Sequence, residues 1–387
     1  MMNSLREQFL LDPDVTFLNH GSFGATPRPV LAVHQDWQRR LEYQPVQFLA
    51  SDVGEYLAEA RATLGVYLGI PSGDLVYVPN TTFGVNVVAR SLDLGPGDEV
   101  LTTDHEYGAC ERVWHFLSRK REFDIIRQTV PLPLTTDEAI INQIWQGVTP
   151  RTRIIFLSHI TSPTAARLPV EAVCARARKS GILTLVDGAH APGQLPLDLA
   201  AVGADFYTGN CHKWLCAPKG SAFLYVRPEV QQLIEPLIVG WGWNSLPTFS
   251  YGSAFLDYLQ YPGTDDYSAY LSVPAAIQFQ ADHNWPAVRQ VCHDLASEAI
   301  GRINDLTGLA PVYPAESEYF IQMALAELPP INDIAAFKKQ LYQKYKVEIP
   351  CYEWNGRPYI RISVQAYNES KDIDKLLEAL NKVLQAW

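Results

Sequence analysis

Basic charge is scarce in this chain of 387 residues: 31 lysines and arginines stand against 42 aspartates and glutamates, for a formal net charge of −11. The two signs are interleaved, so nothing forms the basic stripe that nucleic acid or an anionic membrane requires. Long apolar runs are missing too. No stretch approaches the roughly 20 residues of a membrane span, and the start, MMNSLREQFLLDPDV, carries Arg6, Glu7 and Asp12 where a signal peptide would have its apolar core. The cysteines number six, at 110, 174, 211, 216, 292 and 351, and none forms a C-x-x-C pair. That spread fits reduced thiols in a cytoplasmic enzyme better than a disulfide frame. No G-x-G-x-x-G follows a strand pattern, which argues against a nucleotide-binding oxidoreductase; GPGDE precedes a strand and reads as a turn. There is no repeat or low-complexity tract. These absences leave a globular protein whose expected partner is a small molecule.

What is present is a large apolar fraction, 47%, on a chain long enough for two domains. From about residue 75 to 226, β-rich runs alternate with helical patterns. DLVYVP leads into NTTFG, whose threonines are expected to cap the helix GVNVVARSL, and GDEVLTTDH, RIIFLSH, ILTLVDGAH and ADFYTGNCHK read as further strands. Val170, Val173, Cys174 and Ala177 repeat at helical spacing between two of them. Such alternation predicts an α/β fold with a mostly parallel, helix-covered sheet. Beyond residue 255 the pattern becomes long helices with one short strand, PYIRISV. The last helix is marked by Ile373, Leu376, Leu377, Leu380, Val383, Leu384 and Trp387, with Ser370 as its expected N-cap. The expected division is a large domain over 13–255 and a smaller α/β domain over 256–387 with 1–12.

Ligands of parallel sheets bind beyond the carboxyl ends of the strands. Those ends carry Asn80 to Thr82, His105, Ser158 to Thr164, Asp187 to His190, and Asn210 to Lys213. In TGNCHKWLCAPKG the lysine is flanked by Cys211, His212, Trp214 and Leu215. Desolvation favours the neutral amine, a nucleophile towards carbonyls, and so a Schiff base. A phosphate-bearing pyridine aldehyde would need more: a carboxylate at the ring nitrogen, for which Asp187 is placed; a helix N-terminus for the phosphate, at Thr81 and Thr82; and a flat group over the ring, such as His105. Singly each has an ordinary structural alternative, a buried hydrogen-bonding aspartate, a helix cap or a satisfied histidine. The ordered set of aspartate, histidine three later and lysine 26 after the aspartate sets them apart.

LVDGAHAPGQ followed by ADFYTGNCHKWLCAPKGSAFLYVRPE resembles the class V aminotransferase family of pyridoxal-phosphate (PLP) enzymes, which also contains cysteine desulfurases. FLNHGSFGATPRPV, LTTDHEYGA, SHITSPT and YIRISVQAYNES most resemble its isopenicillin N epimerase-like branch, and the match runs from about residue 15 to 385. The resemblance implies PLP fold type I and a homodimer with active sites at the subunit interface. It implies that Lys213 carries the cofactor, that Asp187 pairs with the pyridine nitrogen, and that His190 lies near the phenolic oxygen. Thr81, Thr82, Asn210 and His212 would hold the phosphate, with Thr264 reaching the phosphate of the neighbouring subunit. His105 matches the ring-stacking position, with Tyr107 as the alternative. Arg361 would take the substrate carboxylate, as its planar fork of donors suits; a surface arginine on an edge strand is the alternative.

Ser162 stands where many relatives have an asparagine, which weakens that contact with the phenolic oxygen. The desulfurase branch carries a nucleophilic cysteine in a His/Gly-rich loop before the arginine, whereas Cys351 stands ten residues before Arg361 in a different setting. His20 and Ser22 are expected to line the substrate pocket. Trp241 and Trp243 in VGWGWNS would line it or serve core or dimer packing. Epimerisation, transamination and β-elimination by a C–S lyase all remain open from one α-carbon chemistry. A zinc hydrolase built on His105, Asp187, His190 and His212 is the rival from another class; its histidines lack a helix-borne H-E-x-x-H pair.

Overall fold

Seven β-strands between residues 75 and 226 form one sheet because their apolar residues serve both of its faces. The computed structural model describes residues 5–244, 250–314 and 318–385; Ser245 and Trp387 lie outside the described residues. In chain order the strands are β1 (Thr16–Phe17), β2 (Leu75–Val78), β3 (Glu99–Thr103), β4 (Asp124–Gln128), β5 (Thr152–Ser158), β6 (Leu183–Asp187), β7 (Phe206–Asn210), β8 (Ala222–Val226), β9 (Met323–Glu327), β10 (Val347–Glu348), β11 (Cys351–Trp354) and β12 (Arg357–Ser363). The large sheet has the order β2-β8-β7-β6-β5-β3-β4, with β8 antiparallel to both its neighbours and every other pairing parallel.

Side chains alternate across a strand, so a sheet buried on both faces needs continuous apolar runs. In β5, Ile155 and Leu157 join one apolar cluster while Ile154 and Phe156 join the other. Val186, Tyr207 and Phe223 follow the first pair, and Leu185, Phe206 and Leu224 the second. Each such side chain, fully buried, contributes about 1.5–3 kcal/mol. Helix Val170–Lys179 buries Val173, Cys174 and Ala177 on one face, as their spacing predicts.

Two strands of this sheet escape the sequence pattern. β4 is an edge strand with no fully buried residue, so its pattern is weak. β8 returns from β7 after only the segment 211–221, too short for a crossover helix, and therefore runs antiparallel.

The C-terminal region holds a second, antiparallel sheet of order β11-β12-β9, where sequence reading gives one strand. Met323–Glu327 is rich in helix-forming alanine and leucine, and Pro350 interrupts the run ahead of β11, which hides both strands. The C-terminal helix, Ser370–Leu384, buries Ile373, Leu376, Leu380 and Val383. Its N-cap is Glu369, not Ser370, because Glu369 and Asp372 form a reciprocal capping box. β1 pairs with β10 in parallel and Asn19 bridges Ser363, so the N-terminal arm is held by the far end of the chain.

The strand ends define the crevice. β6 ends at Asp187, β5 at Ser158 and β7 at Asn210, while β2 leads into helix Thr81–Ser91. That helix lies close on the sheet because Gly84 faces Thr208; a Cβ at Gly84 would overlap the Thr208 hydroxyl. Gly84→Ala is expected to lift the helix from β7, to cost about 1–3 kcal/mol of stability in chemical denaturation, and to weaken phosphate-ligand binding at the helix N-terminus in the same preparation.

Candidate active site

The connection from β7 to β8 carries Lys213 into a cavity of about 540 Å³, within the usual range for small-molecule sites. Its amine nitrogen lies 3.2 Å from Nε2 of His190. The indole N–H of Trp214 donates to Nδ1 of the same ring at 3.1 Å. An indole nitrogen only donates, so Nδ1 is an acceptor and the neutral ring carries its proton on Nε2, facing the lysine. Burial holds His190 well below the ordinary imidazole range, helped by the charge of Lys213. Burial also pushes Lys213 down to about 8, against the pull of Asp187. A neutral imidazole N–H thus points at an amine that readily loses its charge.

Asp187 is buried at the end of β6. Its Oδ1 accepts from the Ala189 N–H at 2.9 Å, and the Cys110 thiol lies 3.5 Å from Oδ2. Burial raises its pKa, and the Ala189 hydrogen bond and Lys213 oppose the rise.

The phosphate end is built on helix Thr81–Ser91. The cap is Asn80, not the threonines: its side chain accepts from the Phe83 N–H at 2.9 Å, leaving Thr81 and Thr82 as the first helical residues. Asn210 Oδ1 accepts from the Thr81 N–H at 3.0 Å, fixing the helix start against β7. The Thr81 hydroxyl is buried without a protein partner, a group that a phosphate oxygen would satisfy. With the positive end of the helix dipole beside it, the cavity fits a phosphate-bearing cofactor whose ring reaches Asp187. His212 lines the same end, with Nδ1 2.8 Å from the Ser221 carbonyl oxygen, and burial lowers it to about 4. A nearby dianion would favour its protonated form.

Arg361 sits on β12, the central strand of the small sheet, and is buried, so the edge-strand alternative fails. One guanidinium nitrogen donates to the Ser162 carbonyl oxygen and lies 3.3 Å from its hydroxyl; the other lies 3.4 Å from the Ser22 hydroxyl. Ser22 and Ser162 both line the cavity, whereas Arg361 stands behind them outside its lining, with Nε buried and without a partner.

Besides Arg361, three expected site residues stand outside the cavity lining. His105 does not line the cavity: its ring nitrogens lie 2.6 Å from Thr164 Oγ1 and 2.6 Å from the Val130 carbonyl oxygen, and its ring packs on Trp354. Tyr107, 47% exposed, occupies the cavity wall instead. The chain turns through Asp104–Glu106 after β3, which tucks His105 behind the wall. His20 is likewise buried behind the site, with Nε2 3.0 Å from the Lys213 carbonyl oxygen and Nδ1 2.9 Å from the Tyr367 hydroxyl. It braces the lysine's backbone rather than lining the pocket. Thr264 is exposed and lines no part of this chain's cavity.

Trp241 and Trp243 are exposed and outside it as well. With His105 turned away, the four residues of the zinc alternative do not converge, and among the described residues no group of three or more His, Cys, Asp or Glu could hold a metal ion. Sequence reading missed Phe23 at the cavity wall and the role of Trp214; the tryptophan was visible beside Lys213, but the aim of its N–H depends on tertiary packing.

The N-terminal arm packs directly on the lysine segment. Gly24, at φ +71°, lies so close that a Cβ would overlap the His212 carbonyl oxygen. Because Lys213 loses its proton near 8, its condensation with an added aldehyde is expected to accelerate with pH and level off above about 8. A lysine in water would keep gaining rate towards its ordinary pKa of about 10.4; stopped-flow absorbance on the apoprotein separates the two.

The Aminotransferase class-V family matches residues 24–376 of this chain. Isopenicillin N epimerase of Amycolatopsis lactamdurans is 35% identical over 98% of this chain and 97% of its own length. A probable chloroplastic L-cysteine desulfhydrase of Arabidopsis thaliana is 27% identical over 97% of this chain and 84% of its own. Among solved structures, a mutant of C-DES with glycine covalently linked to its PLP cofactor superposes with a TM-score of 0.84 at 22% identity, covering 97% of this chain and 98% of that one. The cysteine desulfurase CsdA of Escherichia coli gives 0.81 at 21% identity, over 99% and 98%. These two share the fold, the PLP-dependent type I architecture. With a family match across most of its length and a lysine, aspartate and helix terminus gathered around one cavity, this chain belongs to the class V aminotransferase family of PLP-dependent enzymes.

Proposed function

We propose that this enzyme works at the α-carbon of an amino acid, by the epimerase or aminotransferase chemistry of isopenicillin N epimerase-like proteins. The observation that carries the reading is the Lys213 amine, 3.2 Å from a neutral His190 in a cavity that Asp187 also lines. When bound, PLP supplies an electron-poor ring that takes up negative charge from the α-carbon.

The chain's own residues do the rest. Asp187 holds a negative charge at the pyridine end. Thr81, Thr82, Asn210 and His212 hold the phosphate. Lys213 would take the α-proton, its single lone pair turning from the His190 N–H to do so. Arg361 receives the substrate carboxylate between Ser22 and Ser162, its unpartnered Nε supplying a further donor. Tyr107 covers the ring face.

A second reading, a C–S lyase, draws on the cysteine desulfhydrases at 27–28% identity. A cysteine-nucleophile desulfurase finds less support, because all six cysteines are buried, none lines the cavity, and burial raises the Cys351 thiol. We further infer a cytoplasmic homodimer in which Thr264 meets the partner's cofactor; the exposed side chains of Phe23, Trp241 and Trp243 support burial against a second copy.

Incubation with a panel of amino acids in deuterium oxide tests the reading. Deuterium at the α-carbon with scrambled configuration identifies an epimerase, keto acid with cofactor amination an aminotransferase, and sulfide or ammonia with keto acid a lyase. Lys213→Ala is expected to lower any of these rates by about 10²–10⁴-fold; exchange at the wild-type rate in that variant would sink the assignment. Arg361→Lys, which keeps the charge and loses the fork, is expected to raise KM about tenfold with a smaller change in kcat, read from steady-state kinetics.

A further inference from the structure

Glu106 is buried and belongs to neither the expected site nor the mechanism. It follows β3, and its two carboxyl oxygens lie 2.7 Å from the Thr103 hydroxyl and 2.6 Å from the Ser158 hydroxyl. Ser158 is the cross-strand neighbour of Asp187 in the β5–β6 register, and both line the cavity. Helix Gly108–Arg121 covers the same spot, bringing Cys110 to Asp187. A second carboxyl group therefore stands just behind Ser158, at the end of the cavity that Asp187 lines and where the pyridine nitrogen would lie.

The charged and titratable groups around Glu106 offer it no counter-ion. Asp187 on β6 and Glu111 on the covering helix are both acidic, and Cys110 is a thiol that burial keeps protonated. The cation on the neighbouring strand, Arg127, is engaged by Glu111 at 3.2 Å. Lys213 faces Asp187. Among the described residues, no cation forms an ion pair with Glu106. Two carboxylates in one desolvated site do not both ionise readily.

We propose that Glu106 is a positioning residue that works as a neutral carboxylic acid, holding Ser158 in place at the cavity wall and leaving Asp187 the sole anion at the pyridine end. The inference rests on the reading that Asp187 faces the cofactor's ring nitrogen. As an acid, Glu106 donates one hydrogen bond and accepts the other, since either hydroxyl can reverse its role. Burial raises it to about 8, the hydroxyl contacts opposing the rise, so it keeps its proton at neutral pH and loses it as pH climbs through that value. Its ionisation would place a second negative charge beside Asp187 and disturb the cofactor's absorbance.

The infrared difference spectrum of the apoprotein, wild type minus Glu106→Gln, is expected to contain the carbonyl stretch of a protonated carboxylic acid at pH 7, fading as pH rises through about 8. In the holoenzyme, Glu106→Gln is expected to keep the neutral-pH visible band of bound PLP and to lose the alkaline transition of the wild type. Lys213 is common to both proteins, so the difference reports Glu106 alone. Absence of the infrared band at pH 7 overturns the proposal, as does an unchanged pH profile in the glutamine variant. Failure of the underlying reading looks different: the protein stays colourless with PLP, while the infrared measurement on apoprotein remains readable.

Discussion

A half-buried amine, partly shielded from water in a cavity wall, is the constraint around which this structure is arranged. Lysine ordinarily spends its life hydrated and charged, and removing it from solvent costs free energy that the surroundings must offset. Here the offset is partial by construction. Asp187 attracts the ammonium form, while Arg361 opposes it. The surrounding elements follow from that requirement: Trp214 fixes the tautomer of His190, His190 meets the amine, and His20 grips the lysine's carbonyl oxygen from behind. None of these contacts is an ion pair, so the site is held by oriented neutral donors and acceptors and stays responsive to a charged ligand.

The sheet carries these groups because its direction reverses only at β8 and its other strands deliver their carboxyl ends to one edge. This part of the architecture is legible in the sequence. The runs before Asp187, Ser158 and Asn210 are apolar on both faces and end in polar residues, a pattern that buried parallel strands produce and half-solvated helices do not. The small sheet is not legible to the same degree. Ala324 and Ala326 in β9 carry helix-forming side chains, and only antiparallel pairing with β12 makes the segment extended. Propensity yields there to partners far away in sequence.

The site divides in the same way. Lys213, Asp187, Asn210 and the Thr81–Thr82 helix start are fixed by strand ends, so their convergence follows from topology. His105 and His20 are polar residues adjacent to a cavity in sequence yet behind it in space, because a turn after β3 and a helical turn at His20–Phe23 rotate them away. Local pattern does not encode that rotation. Arg361 shows the converse: its strand reads as an edge, and only the order β11-β12-β9 places it in the middle, with its guanidinium held by two serines.

The N-terminal arm binds sequence-distant partners. Asn19 bonds Glu348, 329 positions later, His20 meets Tyr367, and β1 pairs with β10. During ribosomal synthesis the arm therefore emerges more than 300 residues ahead of the surface on which it docks. A nascent chain that already contains the whole large sheet still lacks the brace behind Lys213. Competence to hold the cofactor in its working geometry therefore arrives only once Tyr367 has been made, and not progressively as the sheet is laid down.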